Sequence, residues 1–173
     1  MRNKHSIRIR AEKGSSLAEA MVALGLVVTG LLGIVVLYTR SFALNREVVN
    51  QTIAAGLAAE GIEVVKNIID TNVAEGGRWT VGNNTFEIEH DSAAYTPLVF
   101  GQTKSTRPLR FNESDGTYSY DSVGTLTPFK RTLTATSSGS GDKEYRVNAL
   151  VEWEESGTTK SLEVEDHFFR WRP

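Results

Sequence analysis

The sequence predicts an α+β protein in which one long N-terminal helix packs on a C-terminal antiparallel β-sheet. Two patterns indicate this fold. An apolar run from Leu17 to Tyr38 leads into an amphipathic stripe, and three segments in the last third of the chain alternate apolar with polar residues. At 173 residues, the chain has room for a helical anchor and one domain of ordinary size. We therefore expect a single hydrophobic core, built from residues after the apolar run.

Charge is divided unevenly between the first fourteen residues and the rest of the chain. The formal net charge is −2, but residues 1–14 carry five cations and one anion (+4), so the remainder carries −6. A basic head before an apolar helix favours a cytoplasmic N-terminus. The acidic remainder argues against a nucleic-acid partner, whose phosphates attract cations. Because the chain has no cysteine, disulfides, thiolate metal sites and cysteine nucleophiles are excluded.

Residues 1–14 have the composition of a basic leader peptide, polar and too short to form a core. The apolar run that follows is longer than the core of a secretory signal, which has about 7–15 residues, and no small-x-small cleavage site comes after it. A cut is therefore expected before the apolar run. The alternative is an uncleaved protein in which the basic residues only set the membrane topology.

The helix is expected to have a membrane-spanning half, residues 15–39, and an amphipathic half, residues 40–70. The first half contains one charge, Glu19, and about 20 apolar residues suffice to cross a bilayer. No proline interrupts the second half, and its two glycines, Gly56 and Gly61, each weaken a helix by only about 1 kcal/mol.

A stripe of apolar residues spaced mostly by four marks the amphipathic half: Phe42, Val49, Ile53, Leu57, Val64 and Ile68. We expect one continuous helix from Ser15 to about Ile69, on the order of 80 Å long.

Residues 71–173 are expected to form a β-rich globular head, with residues 40–70 as its helix. A hairpin is predicted from 79–81 and 85–89, in which Phe86 and Ile88 alternate with Glu87 and Glu89, so that the apolar face is buried and the glutamates are expected to face solvent. Residues 91–124 are interpreted as loop with short strands. Three alternating segments predict an antiparallel meander whose apolar face is covered by the helix stripe: 129–136, 145–153 and 161–168.

The stretch Gly14-Ser15-Ser16-Leu17-Ala18-Glu19, after a basic leader and before a long apolar helix, resembles the processing motif of the type IV pilin superfamily. This superfamily includes the pseudopilins of type II secretion, and the chain looks most like its minor pilins. Residues 57–68 also resemble the second half of the long helix in that group. The resemblance is specific over roughly the first 70 residues and matches the sheet only in type.

This resemblance implies that a prepilin peptidase cuts between Gly14 and Ser15 and methylates the new amine of Ser15. The subunit would wait in the cytoplasmic (inner) membrane as a single-pass protein with its N-terminus inside. The assembly platform would then add it to other pilin subunits in an extracellular pilus or a periplasmic pseudopilus. In such a filament, Glu19 would form a salt bridge with the N-terminal amine of an adjacent subunit.

Two departures from the family pattern concern the same helix. Ser15 stands where phenylalanine is usual, and the helix-bending proline is missing, with Val36 near its place. Gly25, Gly30 and Gly33 are therefore either sites of close helix packing or a hinge. For Glu19 the alternative to assembly is a carboxylate that extends to the lipid headgroups.

No catalytic residue, metal or cofactor is expected elsewhere. The histidines are scattered at positions 5, 90 and 167, and no G-x-S-x-G motif occurs. Residues 112–116 offer oxygens for calcium but lack the spacing of a calcium hand, which favours a solvated turn. The aromatic and basic segment 168–172 is expected to close the core, with an adhesive or nucleic-acid-binding patch as the alternative.

The family resemblance implies two candidate functions, and the residues alone leave open a third. The first is a non-enzymatic, filament-forming minor pilin. The second is a pseudopilin of a type II secretion system. The third is a single-span membrane protein with a β-rich binding domain that does not assemble. An exported enzyme has the least support.

Overall fold

The computed structural model describes residues 6–77, 83–89, 96–97, 103–138 and 143–170. The chain divides into two compact units, Met1–Glu47 and Val48–Pro173. The described part of the first unit, residues 6–47, is helical. The second contains the remainder of the helix and all described strands, and it holds the hydrophobic core.

Helix α1 spans Ser6–Ala74 and confirms the predicted long helix. It begins earlier than the expected Ser15. The physical reason is local, because residues 6–14 include no proline and a single glycine, Gly14, which a helix tolerates at a cost of about 1 kcal/mol. The bond between Gly14 and Ser15 therefore lies inside the helix.

The helix also ends later than the expected Ile69, because the residue that stops it is Gly76. This glycine has φ +76°, in the left-handed region that glycine adopts without strain. Its N–H donates to the Val73 carbonyl at 3.2 Å, and the Gly77 N–H donates to the Asn72 carbonyl at 2.7 Å. These two bonds form a Schellman motif, which satisfies carbonyls that the helix end would otherwise leave without partners.

The main sheet has five strands in the order β2-β1-β6-β7-β8, and a small three-stranded sheet has the order β4-β3-β5. In chain order the strands are β1 (Asn84–Glu87), β2 (Thr96–Pro97), β3 (Arg110–Asn112), β4 (Thr117–Ser119), β5 (Thr125–Leu126), β6 (Lys130–Ser138), β7 (Glu144–Glu155) and β8 (Thr158–Phe169). Antiparallel pairing of β6 with β7 and of β7 with β8 confirms the predicted meander. Strand β8 is an edge of the main sheet.

The predicted first hairpin is only partly within the described chain. Residues 79–81 lie outside it, and β1 pairs with β2 and β6. The expectation that Glu87 faces solvent is wrong, because this glutamate is only 5% exposed. The short strands β3 and β4 confirm the mixture of loop and strand predicted for residues 91–124.

The core forms where the second half of α1 meets the sheet. Alternate residues of β7, from Tyr145 through Val147, Ala149 and Val151 to Trp153, are buried as predicted. Helix residues that share one face cover them: Ala54, Leu57, Ala58, Ile62, Val64, Val65, Ile68 and Ile69. Each large apolar side chain buried in this way contributes roughly 1.5–3 kcal/mol.

The buried stripe of the helix starts later than predicted. Phe42 and Val49 are 57% and 50% exposed, and Ile53 is the first stripe residue packed against the core. The four-residue spacing of the stripe begins N-terminal to the residues that the core buries, so the spacing did not indicate where burial starts. Gly61 is buried, and a Cβ built on it would lie 3.1 Å from Cδ2 of Leu133. At this position the helix backbone therefore packs closely on β6.

Candidate functional site

Ser15 and Glu19, the predicted processing and docking residues, lie one turn apart on the same face of α1. A spacing of four residues in a helix brings two side chains together with about 6 Å of axial rise between them. Both side chains are exposed. No residue that the structure describes forms a hydrogen bond or ion pair with the Glu19 carboxylate. The side-chain surroundings of Gly14 lie outside the described part of the chain.

The large apolar side chains of residues 17–44 form a surface that we call the N-terminal apolar surface. Their exposed fractions run from 47% at Val28 to 71% at Leu26 and Leu37. From Ser15 the helix is long and apolar enough to cross a membrane, with a mean hydropathy of 2.7 over its most apolar 18-residue window. A soluble monomer rarely exposes a continuous apolar patch of this extent. Apolar surfaces of this extent are typical of sites that contact a membrane or another protein.

The three glycines of this unit lie on an unbroken part of α1. A Cβ built on Gly25, Gly30 or Gly33 meets no atom within 4 Å. The choice between close packing and a hinge stays a prediction, since the helix is regular at all three positions.

Two threonine hydroxyls of this part of the helix donate to backbone carbonyls of the helix itself. Thr29 donates from Oγ1 to the Gly25 carbonyl at 2.8 Å, and Thr39 donates to the Val36 carbonyl at 2.9 Å. A hydroxyl without a partner is costly to transfer out of water. These bonds lower the cost of placing both residues in an apolar environment.

An aromatic pair marks the C-terminal end of the apolar segment. The rings of Tyr38 and Phe42 meet edge to face with centroids 4.6 Å apart and planes at 86°. Arg40 lies between them in sequence and, two residues from Tyr38, projects from the other side of the helix. Aromatic and cationic side chains in such a position are typical of a membrane–water interface.

In the second unit, the most buried ionic group is Arg131 of β6, which is 0% exposed. Its guanidinium donates to the Leu57 carbonyl at 2.9 Å, the Ile88 carbonyl at 2.6 Å and Oε1 of Glu60 at 3.1 Å. The buried Tyr120 hydroxyl donates to the Arg131 carbonyl, and burial raises the pKa of Tyr120 to about 12. This cluster connects the helix to β6 and to the residue that follows β1, so its role is structural.

A second polar cluster covers the outer face of the sheet beside β1. Oγ of Ser105 donates to Oε1 of Glu87 at 2.5 Å, and the Arg107 guanidinium donates to Oε2 of Glu87 at 2.9 Å. Arg107 also lies 4.9 Å from the centre of the Tyr120 ring. The segment that carries Ser105 and Arg107 thus excludes water from Glu87, which explains why the predicted exposure of this residue is wrong.

The residues that the sequence offered as possible metal ligands do not form one site in the described part of the chain. In the turn at residues 112–116, the Asn112 amide donates to Asp115 at 2.9 Å, and Asn112 Oδ1 accepts from the Ser114 N–H. These bonds already use several of the oxygens proposed for calcium. Within the described ranges no three His, Asp or Glu side chains come together as a metal site. His5 and His90 lie outside those ranges.

His167 and the C-terminal aromatic residues lie on β8. The imidazole contacts Glu144 at 2.5 Å and Glu165 at 2.9 Å, and these hydrogen bonds, that of Glu144 first, raise the pKa of His167. Phe168 packs against the core as predicted. The same expectation is wrong for Phe169, which is 64% exposed because the strand alternates its faces. Residues 171–172 lie outside the described chain.

Sequence reasoning missed the Tyr38–Phe42 pair and the buried Arg131. The four-residue spacing of two aromatics at the end of an apolar run could have indicated the first. The alternation of β6 could have indicated the second, because Arg131 is in phase with the buried apolar residues Phe129, Leu133 and Ala135. Comparison of the chain with protein-family models, curated proteins and solved structures finds no match.

Proposed function

We propose that this chain is a structural, non-enzymatic subunit of a type IV pilus-type filament, most similar to a minor pilin, and that it waits in the inner membrane before assembly. The observation that carries the proposal is the N-terminal apolar surface, which begins beside the exposed carboxylate of Glu19 and just after the Gly14-Ser15 motif. The second unit, with a packed core of its own, supplies the head of the subunit.

Assembly follows from the two environments that can cover this surface. Lipid covers it in the membrane, and the helices of neighbouring subunits cover it in a filament. In the filament Glu19 is removed from water, and a desolvated carboxylate without a partner is costly. A prepilin peptidase that cuts before Ser15 creates an amine, and this amine on a neighbouring subunit pairs with Glu19 and sets the axial register.

The first experiment tests processing. The chain is expressed with an active prepilin peptidase, extracted from membranes and weighed as the intact protein. We expect the mass of residues 15–173, with one additional methyl group where the amine of Ser15 is methylated. Retention of residues 1–14 in the presence of the active enzyme would contradict the proposal.

The second experiment tests the pairing. In Glu19→Gln, membrane insertion should be unchanged, while incorporation into sheared filaments should fall by at least about tenfold, since a lost partner of a buried charge costs several kcal/mol. Glu63→Gln, at an exposed position of the same helix, is the matched control and should incorporate normally. Equal incorporation of both variants would exclude the pairing mechanism.

The same surfaces serve a pseudopilin, and a single-span binding protein would use them only for anchoring. Cross-links between single cysteines placed along residues 17–44 distinguish the single-span binding protein from the two filament subunits. A protein that does not assemble gives no ordered ladder of cross-linked subunits. Dependence on the assembly platform of a pilus or of a secretion system separates the other two.

A further inference from the structure

We propose that α1 binds the bilayer in one fixed register, with phospholipid headgroups contacting Ser15–Glu19 at one interface and Tyr38–Phe42 at the other. This inference rests on the membrane stage of the proposed function and adds the depth of each residue in the bilayer. The residues that contact lipid all belong to the first unit. Their binding partner is the phosphate and glycerol layer of the lipid.

The distance between the two levels matches the thickness of a bilayer. Residues 20–37 carry no charge and, at 1.5 Å per residue, span about 27 Å. The hydrocarbon core of a typical bilayer is about 30 Å thick. A shift of the helix by one turn would draw either Glu19 or Arg40 into hydrocarbon, and both shifts are therefore unfavourable.

The interior of this segment contains a single polar side chain, that of Thr29. Its hydroxyl donates to the Gly25 carbonyl at 2.8 Å and so needs no water. Thr29 lies next to the midpoint of residues 20–37, where water is scarcest.

At the C-terminal interface, aromatic side chains lie on one side of the helix and a cationic side chain lies on the other. Tyr38 and Phe42 are 64% and 57% exposed and lie on one side. Arg40 is rotated by about 200° from Tyr38 and lies on the other. The three residues occupy about 6 Å of the axis, close to the depth of one headgroup layer, roughly 5–7 Å. Arginine binds lipid phosphate, and the two rings fill the boundary between hydrocarbon and water.

The N-terminal level is equally short. Ser15, Ser16 and Glu19 occupy about 6 Å of the axis and provide two hydroxyl groups and a carboxylate to the headgroup layer. In this register Glu19 stays hydrated while the subunit is in the membrane. It enters an apolar environment only when the helix moves away from that layer.

The absence of cysteine from the natural chain makes the register directly measurable. Single cysteines are placed in the full chain at residues 16, 21, 24, 28, 32, 36, 41 and 44 and labelled with a nitroxide. The variants are reconstituted in vesicles of phosphatidylethanolamine and phosphatidylglycerol. Collision rates with oxygen and with a water-soluble nickel chelate then give the depth of each label.

We expect the greatest depth at residues 28–29 and headgroup depth at residues 16 and 41. A centre displaced by four or more residues would overturn the register. Failure of the chain to insert would overturn both the register and the membrane stage on which it rests.

A combined Tyr38→Leu, Arg40→Gln and Phe42→Leu variant tests the C-terminal level. Without these three side chains the apolar segment extends toward Leu44, and we expect the centre of the depth profile to move by about three residues toward the C-terminus. The matched control, Tyr38→Trp with Arg40→Lys, retains an aromatic residue and a cation and should leave the centre unchanged. An unmoved centre in the combined variant would show that these residues do not set the register.

The depth measurements and the filament experiment with Glu19→Gln test different parts of the two proposals. A register that fails while Glu19→Gln still loses incorporation would leave the pilin proposal intact. A confirmed register with normal incorporation of Glu19→Gln would exclude only the pairing.

Discussion

Two stretches of the same helix, residues 17–44 and residues 53–69, are both rich in apolar side chains but differ in how those side chains are covered. In the first, the large apolar residues are all exposed. In the second, one face is buried against the sheet, and the opposite face carries exposed polar residues such as Glu63 and Lys66. An all-round apolar helix depends on partners from outside the chain, whereas a one-sided helix finds its partner within it.

This difference means that the two stretches should fail independently. Loss of the sheet core should unfold the second unit without removing the ability of the first stretch to enter a membrane. Changes in the first stretch should alter the proposed insertion and assembly without unfolding the second unit.

The largest effect is expected for Arg131→Ala. The substitution removes a fully buried guanidinium that bonds the Leu57 and Ile88 carbonyls and leaves a cavity, so the free energy of unfolding should fall by about 3–5 kcal/mol. Urea unfolding of the full chain in detergent, followed by tryptophan fluorescence, measures this change, since Trp153 is 3% exposed in the core.

Arg131→Met retains most of the side-chain volume and should lose less stability than Arg131→Ala. Membrane insertion of both variants should match that of the wild type. Impaired insertion in either would contradict the independence of the two stretches.

A smaller effect distinguishes two glycines of the packed stretch. Gly56→Ala should stabilise the protein by up to about 1 kcal/mol, because a Cβ at that position meets nothing within 4 Å and alanine is the better helix former. At Gly61 the new Cβ would lie 3.1 Å from Cδ2 of Leu133 and 3.2 Å from Cδ of Arg131. Both neighbours are fully buried and cannot move freely, so Gly61→Ala should be less stable than Gly56→Ala. Equal thermal midpoints would contradict the close approach of helix and sheet.

The smallest effect concerns the exposed imidazole of His167. Its pKa is raised by hydrogen bonds to Glu144 and Glu165. The protonated form is therefore favoured by folding, and the small stability that it contributes is present below the ordinary histidine pKa and is lost as the pH rises through the raised value.

An NMR titration of His167 in the full chain in detergent measures this shift. Glu144→Gln should lower the pKa toward its ordinary value. Glu163→Gln, whose carboxylate instead accepts a hydrogen bond from Asn148 at 2.6 Å, should leave it unchanged. An equal titration in all three proteins would exclude the proposed hydrogen bonds as the cause.

The helix and the long strands could be predicted from the sequence because their apolar residues recur with the period of each element. The alternation from Tyr145 to Trp153 defined both a strand and its buried face, and the run from Leu17 to Tyr38 defined the exposed apolar helix. The four-residue spacing also includes Phe42 and Val49, which are exposed, so the pattern alone does not show at which residue burial starts. That boundary depends on the position of the sheet.

The parts that could not be predicted depend on contacts between distant residues. Burial of Glu87 requires a segment about twenty residues later in the chain, and the position of Arg131 depends on carbonyls from α1 and from the residue after β1. In the candidate site, the motif from Gly14 to Glu19 could be found in the sequence. The Tyr38–Phe42 pair and the opposite placement of Arg40 could have been inferred from their spacing on the predicted helix, whereas the edge-to-face geometry of the two rings could not.

The outer edge of strand β8 has a consequence for the proposed membrane stage, in which copies of the chain are concentrated in one plane. Long edge strands invite pairing between copies of a protein, which leads to fibres. Two copies of β8 paired antiparallel about Val164 would place Glu163 of one copy opposite Glu165 of the other, and like charges directly across a ladder repel. The exposed glutamates of β8 thus disfavour this edge-to-edge pairing of two copies.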